Sequence, residues 1–164
     1  MRFVDVRNQL GKNFCDYLLT KERKYWKEIL SLEVPPEFLP YKEERIKTYQ
    51  QLLEEYKNLL PAKDIEKVIF LGRDMNNRGL YFEGHEIIEK YWLTYKEKYK
   101  KFLQALIQVS IANMHLESGN LKGYHRMKEL AIKNLSEYSG NLFNIDVEKL
   151  KNILQKVGEF FISY

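Results

Sequence analysis

The chain has 164 residues, 45% hydrophobic and 30% charged with a net charge of +4, which excludes disorder and leaves room for one domain with a sizeable core. No apolar run approaches the ~20 residues needed to cross a bilayer. The single cysteine, Cys15, cannot form an internal disulfide and has no Cys or His at metal-ligand spacing.

The first residues, MRFVDVRNQLGKNF, place charges every few positions and hold no secretion signal, so a soluble, cytoplasmic setting is expected. Strand-like alternation is absent and no hairpin dipeptide joins two β-branched runs, so the chain reads as all-α. Residues 3 to 19 and 21 to 32 predict two helices, with Thr20 as N-cap of the second. Their aromatic side chains Tyr17, Tyr25 and Trp26 would pack inward or form a homodimer contact. SLEVPPEFLPY, residues 31 to 41, predicts an extended connector, because each proline disfavours helical geometry in its predecessor.

Ile46, Tyr49, Leu53, Tyr56 and Leu60 then recur as one helical stripe that ends before Pro61. All four prolines lie at or before that position, so nothing beyond it forbids long helices. Asp64 is placed to cap a helix carrying Ile65, Val68, Ile69, Gly72 and Met75 on one side, with Gly79 as a left-handed stop. GLYFEGHEIIEKYW, residues 79 to 92, starts another helix almost at once. Residues 98 to 118 are apolar nearly all round, the mark of a central helix. Gly119 ends it, and Asn120 caps a helix running to about residue 137. Asp146 caps the last helix, whose stripe is Val147, Leu150, Leu154, Val157 and Phe161. The expected architecture is an irregular, mostly antiparallel bundle of about seven helices around the central one. It would form a single domain, residues 1 to 164, with residues 62 to 164 as core bundle and residues 1 to 60 as an added helical layer.

Chemistry concentrates in GLYFEGHEIIEKYW. At 100° per residue, Tyr81, Phe82, Ile88, Glu89, Trp92 and Lys96 fall within about 60° of His85, while Glu83, Lys90 and Thr94 point away. A histidine and a carboxylate inside an aromatic stripe need partners or a wet cavity. The central helix offers them: Gln104, Gln108, Ile111 and His115 form a narrow, mostly polar line on a greasy surface. The two lines together predict a buried or cleft-floor cluster of His85, Glu89, Gln108 and His115, with Glu86 at its edge.

The blocks RDMNNRGLYFEGHEIIEKYW and FLQALIQVSIANMHLESGNLKGY resemble domain-of-unknown-function family 309, whose pattern runs approximately F-N-x-G-x-[YF]-[FW]-E-A-H-E-x-L-E-x-x-W, then G-L-I-Q, a later H, and G-N-x-x-G-A. The matching positions are Asn77, Gly79, Phe82, Glu83, His85, Glu86, Glu89, Trp92, Leu106, Ile107, Gln108, His115, Gly119, Asn120 and Gly123. Met75, Gly84, Ala105 and Tyr124 depart from the pattern. The resemblance covers about residues 65 to 137 and implies a multihelical bundle with a shared polar cluster and no established activity.

Several roles fit these residues. The cluster would serve as a hydrogen-bond network that fixes helix register. It would alternatively hold a divalent metal through His85, Glu89 and His115, with Glu86 as base in hydrolase-like chemistry. H-E-x-x-E differs from the H-E-x-x-H of zinc peptidases. Metal-free acid–base catalysis by the His–Glu pair is a third use. Separately, residues 90 to 133 carry nine basic and three acidic side chains, and Lys98, Lys100 and Lys101 with nearby aromatics would suit nucleic acid or another anion. His125 and Glu129 read as a surface pair.

Overall fold

A computed structural model describes residues 1–164 and is all-α apart from one two-stranded ribbon. The chain divides into two compact units, Met1–Lys67 and Val68–Tyr164. No helix is long and apolar enough to cross a membrane.

The first unit contains α1 (Phe3–Thr20), α2 (Arg23–Ser31) and α3 (Leu39–Tyr56), with 3-10 turns at Pro36–Phe38 and Lys57–Leu59. Val6, Leu10, Phe14 and Leu18 repeat every four residues on α1 and are fully buried, as is Cys15. The Phe14 ring stacks on Tyr49 of α3 at 3.9 Å between centroids. Thr20 belongs to α1 and does not cap α2: its hydroxyl donates to Asp16 O, while Lys21 ends the helix at a φ of 58°. The expected connector is also shorter than its prolines imply. Pro40 lies in the first turn of α3, where its missing N–H would have had no intrahelical partner. The buried face of α3 is Tyr49, Leu52 and Tyr56, so the stripe runs through Leu52 and leaves Ile46 and Leu53 half-buried. Tyr17 and Trp26 pack together, ring centroids 6.1 Å apart.

The second unit takes up α4 (Ile65–Asn77) from Val68 onward, and α5 (Tyr81–Trp92), α6 (Lys100–Glu117) and α7 (Leu121–Leu135) then precede a ribbon of β1 (Asn141–Leu142) and β2 (Ile145–Asp146) and finally α8 (Val147–Gln155). α6 is the centre, buried on nearly every side from Phe102 to Asn113 and packed against α5 and α7. The caps are those the sequence signals: Asp64 accepts from Lys67 N, Asn120 from Gly123 N and Asp146 from Lys149 N. Gly79 and Gly119 take φ of +86° and +79°, a left-handed conformation suited to glycine.

The all-α reading holds, with one small ribbon added and the last helix shorter than its stripe implies. Phe143 and Asn144 both take positive φ and join an antiparallel pair, Asn141 to Asp146 and Leu142 to Ile145. That is the backbone of a two-residue primed turn without its usual Asn-Gly or Asp-Gly signature, so the composition concealed it. The last helix stops at Gln155; Val157 is wholly exposed and Phe161 half-exposed, because the chain leaves helical geometry and Gly158 reaches a φ of +117°.

Candidate functional site

α5 begins one turn after α4 ends, and the two helices touch where Gly84 faces Gly72. A Cβ on Gly84 would lie 2.8 Å from Gly72 O and 3.0 Å from Asn76 N. This close approach turns more of α5 inward than its apolar stripe alone implies. Glu83, expected to point outward, is 1% exposed, and Glu86 is 9% exposed. Glu89, expected near the centre of the buried face, has a side chain 41% exposed.

His85, Glu86 and Glu89 come together, one ligand atom of each within 4.8 Å of the others. His85 Nε2 lies 2.6 Å from Glu89 Oε2 and 3.9 Å from Glu86 Oε2. His85 Nδ1 sits 3.1 Å from the Phe82 carbonyl. A carbonyl only accepts, so Nδ1 carries the hydrogen, and Nε2 is the nitrogen left to meet the carboxylates. Nε2 and Glu89 Oε2 are thus within hydrogen-bond distance of each other, one turn apart on α5. Lys90 Nζ approaches Glu86 Oε1 at 3.6 Å from one turn further along.

The expected partners on α6 lie elsewhere. Gln108 Oε1 accepts from Asn134 Nδ2 of α7 at 2.8 Å. His115 Nδ1 pairs with Asn120 Nδ2 at 3.2 Å beside the α6–α7 turn, and its ring packs so near Gly123 that a Cβ there would stand 2.7 Å away. His115 is therefore outside the carboxylate group, and the acidic residue that joins His85 and Glu89 is Glu86. Gln108 does share a cavity of about 180 Å³ with Glu89, together with Trp92, Gln104, Ile107, Ile111 and Met127. Trp92 Nε1 is buried and has no hydrogen-bond partner.

The basic segment is partly engaged within the fold. Lys100 Nζ donates to the Trp92 carbonyl and sits 3.9 Å from the centre of the Trp92 ring. Lys101 pairs with Glu137 at 3.1 Å, and Lys98 lies over Tyr99. His125 pairs with Glu159 at 3.0 Å and not with Glu129, because the extended C-terminal segment passes beside α7.

A second buried polar group lies outside the cluster expected from the sequence. Asn76 Oδ1 accepts from Ser110 Oγ at 3.0 Å and Asn113 Nδ2 at 2.9 Å, and all three residues are buried. Asn113 Oδ1 accepts from Ile162 N at 2.7 Å. Asparagines inside helices otherwise rich in apolar residues were the available signal: Asn76 and Asn113 fall on buried faces, where an amide needs a partner.

The fold and the site thus define a multihelical protein with one intrahelical His/Glu/Glu group beside a small cavity. A protein-family model described as "Domain of unknown function (DUF309)" matches residues 69–127, the same family that the motifs resemble. That span contains His85, Glu86, Glu89, Trp92, Gln104, Gln108 and His115. No curated protein and no solved structure matches the chain.

Proposed function

We propose that His85, Glu86 and Glu89 bind a divalent cation and that the adjoining cavity admits the small molecule on which the site acts, in hydrolase-like chemistry. The observation that carries this reading is the approach of three ligand atoms to within 4.8 Å with His85 Nδ1 committed to the Phe82 carbonyl. A backbone carbonyl on the second ring nitrogen is the usual way a metal-binding histidine is oriented.

The spacing accommodates an ion. Ligand atoms each ~2.1 Å from a metal stand ~3.0 to 3.4 Å apart at octahedral or tetrahedral angles. The observed 2.6 Å and 3.9 Å bracket that range. Bringing a separation of up to 4.8 Å into that range takes a carboxylate shift of roughly 1 to 2 Å, which the part-exposed Glu89 side chain has room to make. One imidazole with two carboxylates suits manganese, iron or zinc. Such an ion, when bound, would lower the pKa of a bound water and polarise a substrate oxygen. For their part, Gln104 and Gln108 supply uncharged amides among the residues that line the cavity and would orient a polar ligand.

A purely structural network between α5 and α6 has less support, because Gln108 and His115 take their bonds toward α7 and the α6–α7 turn. The polar contacts of His85 all lie within α5, so they do not set the register of two helices. Metal-free acid–base use of the pair keeps one favouring observation, the 2.6 Å contact itself. Titration calorimetry with manganese and zinc on tag-free protein separates the readings. Stoichiometric binding that disappears in Glu89→Gln and His85→Ala, with His115→Ala unaffected, is the expected result. Absence of saturable binding in folded wild-type protein overturns the metal reading and leaves the dyad.

A further inference from the structure

We propose that the face made by α4, α6 and α7 is a peptide-recognition groove, and that residues 160–164 are its tethered ligand, read as an extended aromatic-x-Ile-x-Tyr segment. The evidence is how the segment's backbone is satisfied. At three alternate residues, a single side chain takes both the N–H and the C=O, as a neighbouring strand would.

The Tyr124 hydroxyl donates to Phe160 O at 2.8 Å and lies 3.3 Å from Phe160 N as its acceptor. Two residues on, Asn113 accepts from Ile162 N at 2.7 Å and donates to Ile162 O at 2.9 Å, with Asn76 Nδ2 as a second donor at 3.0 Å. Two residues further, Asn77 accepts from Tyr164 N at 3.1 Å and donates to the Tyr164 carbonyl at 2.9 Å, where Arg73 Nε also donates. A hydrogen-bond repeat of two residues is the signature of extended backbone.

Side-chain burial follows the same period. Ile162 is 1% exposed, whereas Phe161 is half-exposed and stacks on Tyr81, and Ser163 is exposed. Phe160 faces the Lys128 ammonium at 5.0 Å, and the Tyr164 ring lies 5.9 Å from the Arg73 guanidinium. Lys128 is itself a buried lysine, held between the Phe160 ring and Lys156 O at the end of α8, to which its Nζ donates at 3.0 Å. Between α8 and the segment, Val157 is wholly exposed and Gly158 adopts a φ of +117°, while Glu159 pairs with His125 at 3.0 Å. The groove residues Arg73, Asn76, Asn77, Asn113 and Tyr124 lie within the family match, and the occupant lies beyond it. Tethering keeps the occupant at an effective concentration near ~mM, so a free peptide competes only once the tether is cut.

The test uses the full chain with a protease site placed at the exposed Val157–Gly158 junction and cut after folding. A labelled peptide spanning Gly158 to Tyr164 is then added, and uptake is followed by native mass spectrometry and fluorescence anisotropy. Expected is exchange of the clipped segment for the labelled peptide, with at least tenfold weaker uptake of a peptide carrying Ile162→Asp and by chain carrying Asn113→Ala. Nicked protein that keeps its helical circular dichroism yet takes up no peptide, or takes both peptides equally, overturns the proposal. Hydrogen exchange on the uncut chain is the second measurement, should release unfold the protein. The amides of Phe160, Ile162 and Tyr164 are expected to open together, well before those of α6; exchange only on global unfolding would make the segment a core element and not a ligand.

Discussion

Replacing Asn113 with alanine isolates the bond between α6 and the C-terminal segment. The wild-type amide takes Ile162 N–H and gives hydrogens to Ile162 O and Asn76 Oδ1. In the variant, Ile162 O keeps Asn76 Nδ2 and Asn76 Oδ1 keeps Ser110 Oγ, so one group alone is orphaned: the N–H of a residue 1% exposed. A buried donor without an acceptor costs ~1 to 3 kcal/mol. With a urea slope of about 2 kcal/mol per molar, that is a midpoint shift of roughly 0.5 to 1.5 M. The partner variant Asn76→Ala orphans Ser110 Oγ and leaves Ile162 satisfied by Asn113. Only the double variant strips Ile162 of both partners, so its cost should exceed the sum of the singles by ~1 kcal/mol or more. Urea unfolding followed by circular dichroism measures all three. A single-variant cost under ~0.5 kcal/mol, or strict additivity, would refute the reasoning, because either means that the segment is not held through these amides.

Other consequences are as direct. Gly84→Ala should destabilise by several kcal/mol, since its Cβ meets backbone atoms of α4 at 2.8 and 3.0 Å; Gly72→Ala meets the buried Ile88 side chain at 2.5 Å and Gly84 O at 3.1 Å, so it should cost less only as far as Ile88 can repack, and thermal melts rank the two. Tyr164 buries its hydroxyl without a partner, so Tyr164→Phe should raise stability by about 1 kcal/mol in the same melts. Burial also raises the Tyr164 pKa above its ordinary value. The phenol's contribution is therefore whole below the unfolded pKa of ~10 and lost as pH rises toward the folded value, a high-pH loss that Tyr164→Phe should remove. Lys100→Met should loosen the α5 C-terminus by removing the donor to the Trp92 carbonyl, seen as faster hydrogen exchange after residue 92 with α7 unchanged.

Much of the helical order was legible because its signals are local. Asp64, Asn120 and Asp146 cap helices whichever way those helices pack, and Gly79 and Gly119 meet a backbone demand made within one turn. The identity of α6 as the centre was legible too, since a helix apolar on every side has no solvent face. The His85 to Glu89 contact follows from the four-residue spacing on α5. The tertiary structure decided what a helical wheel cannot contain. Two glycines let α4 and α5 approach closely, and Glu83 and Glu86 are buried where the wheel had favoured Glu89. Gln108 and His115 lie on the polar line of α6 as read, but they bond toward α7 and the α6–α7 turn, a choice set by helix placement. The extended segment past α8 carries an apolar stripe continuous with that helix. Asn76, Asn77, Asn113 and Tyr124, on three helices, supply the hydrogen bonds that its extended backbone makes in place of helical ones.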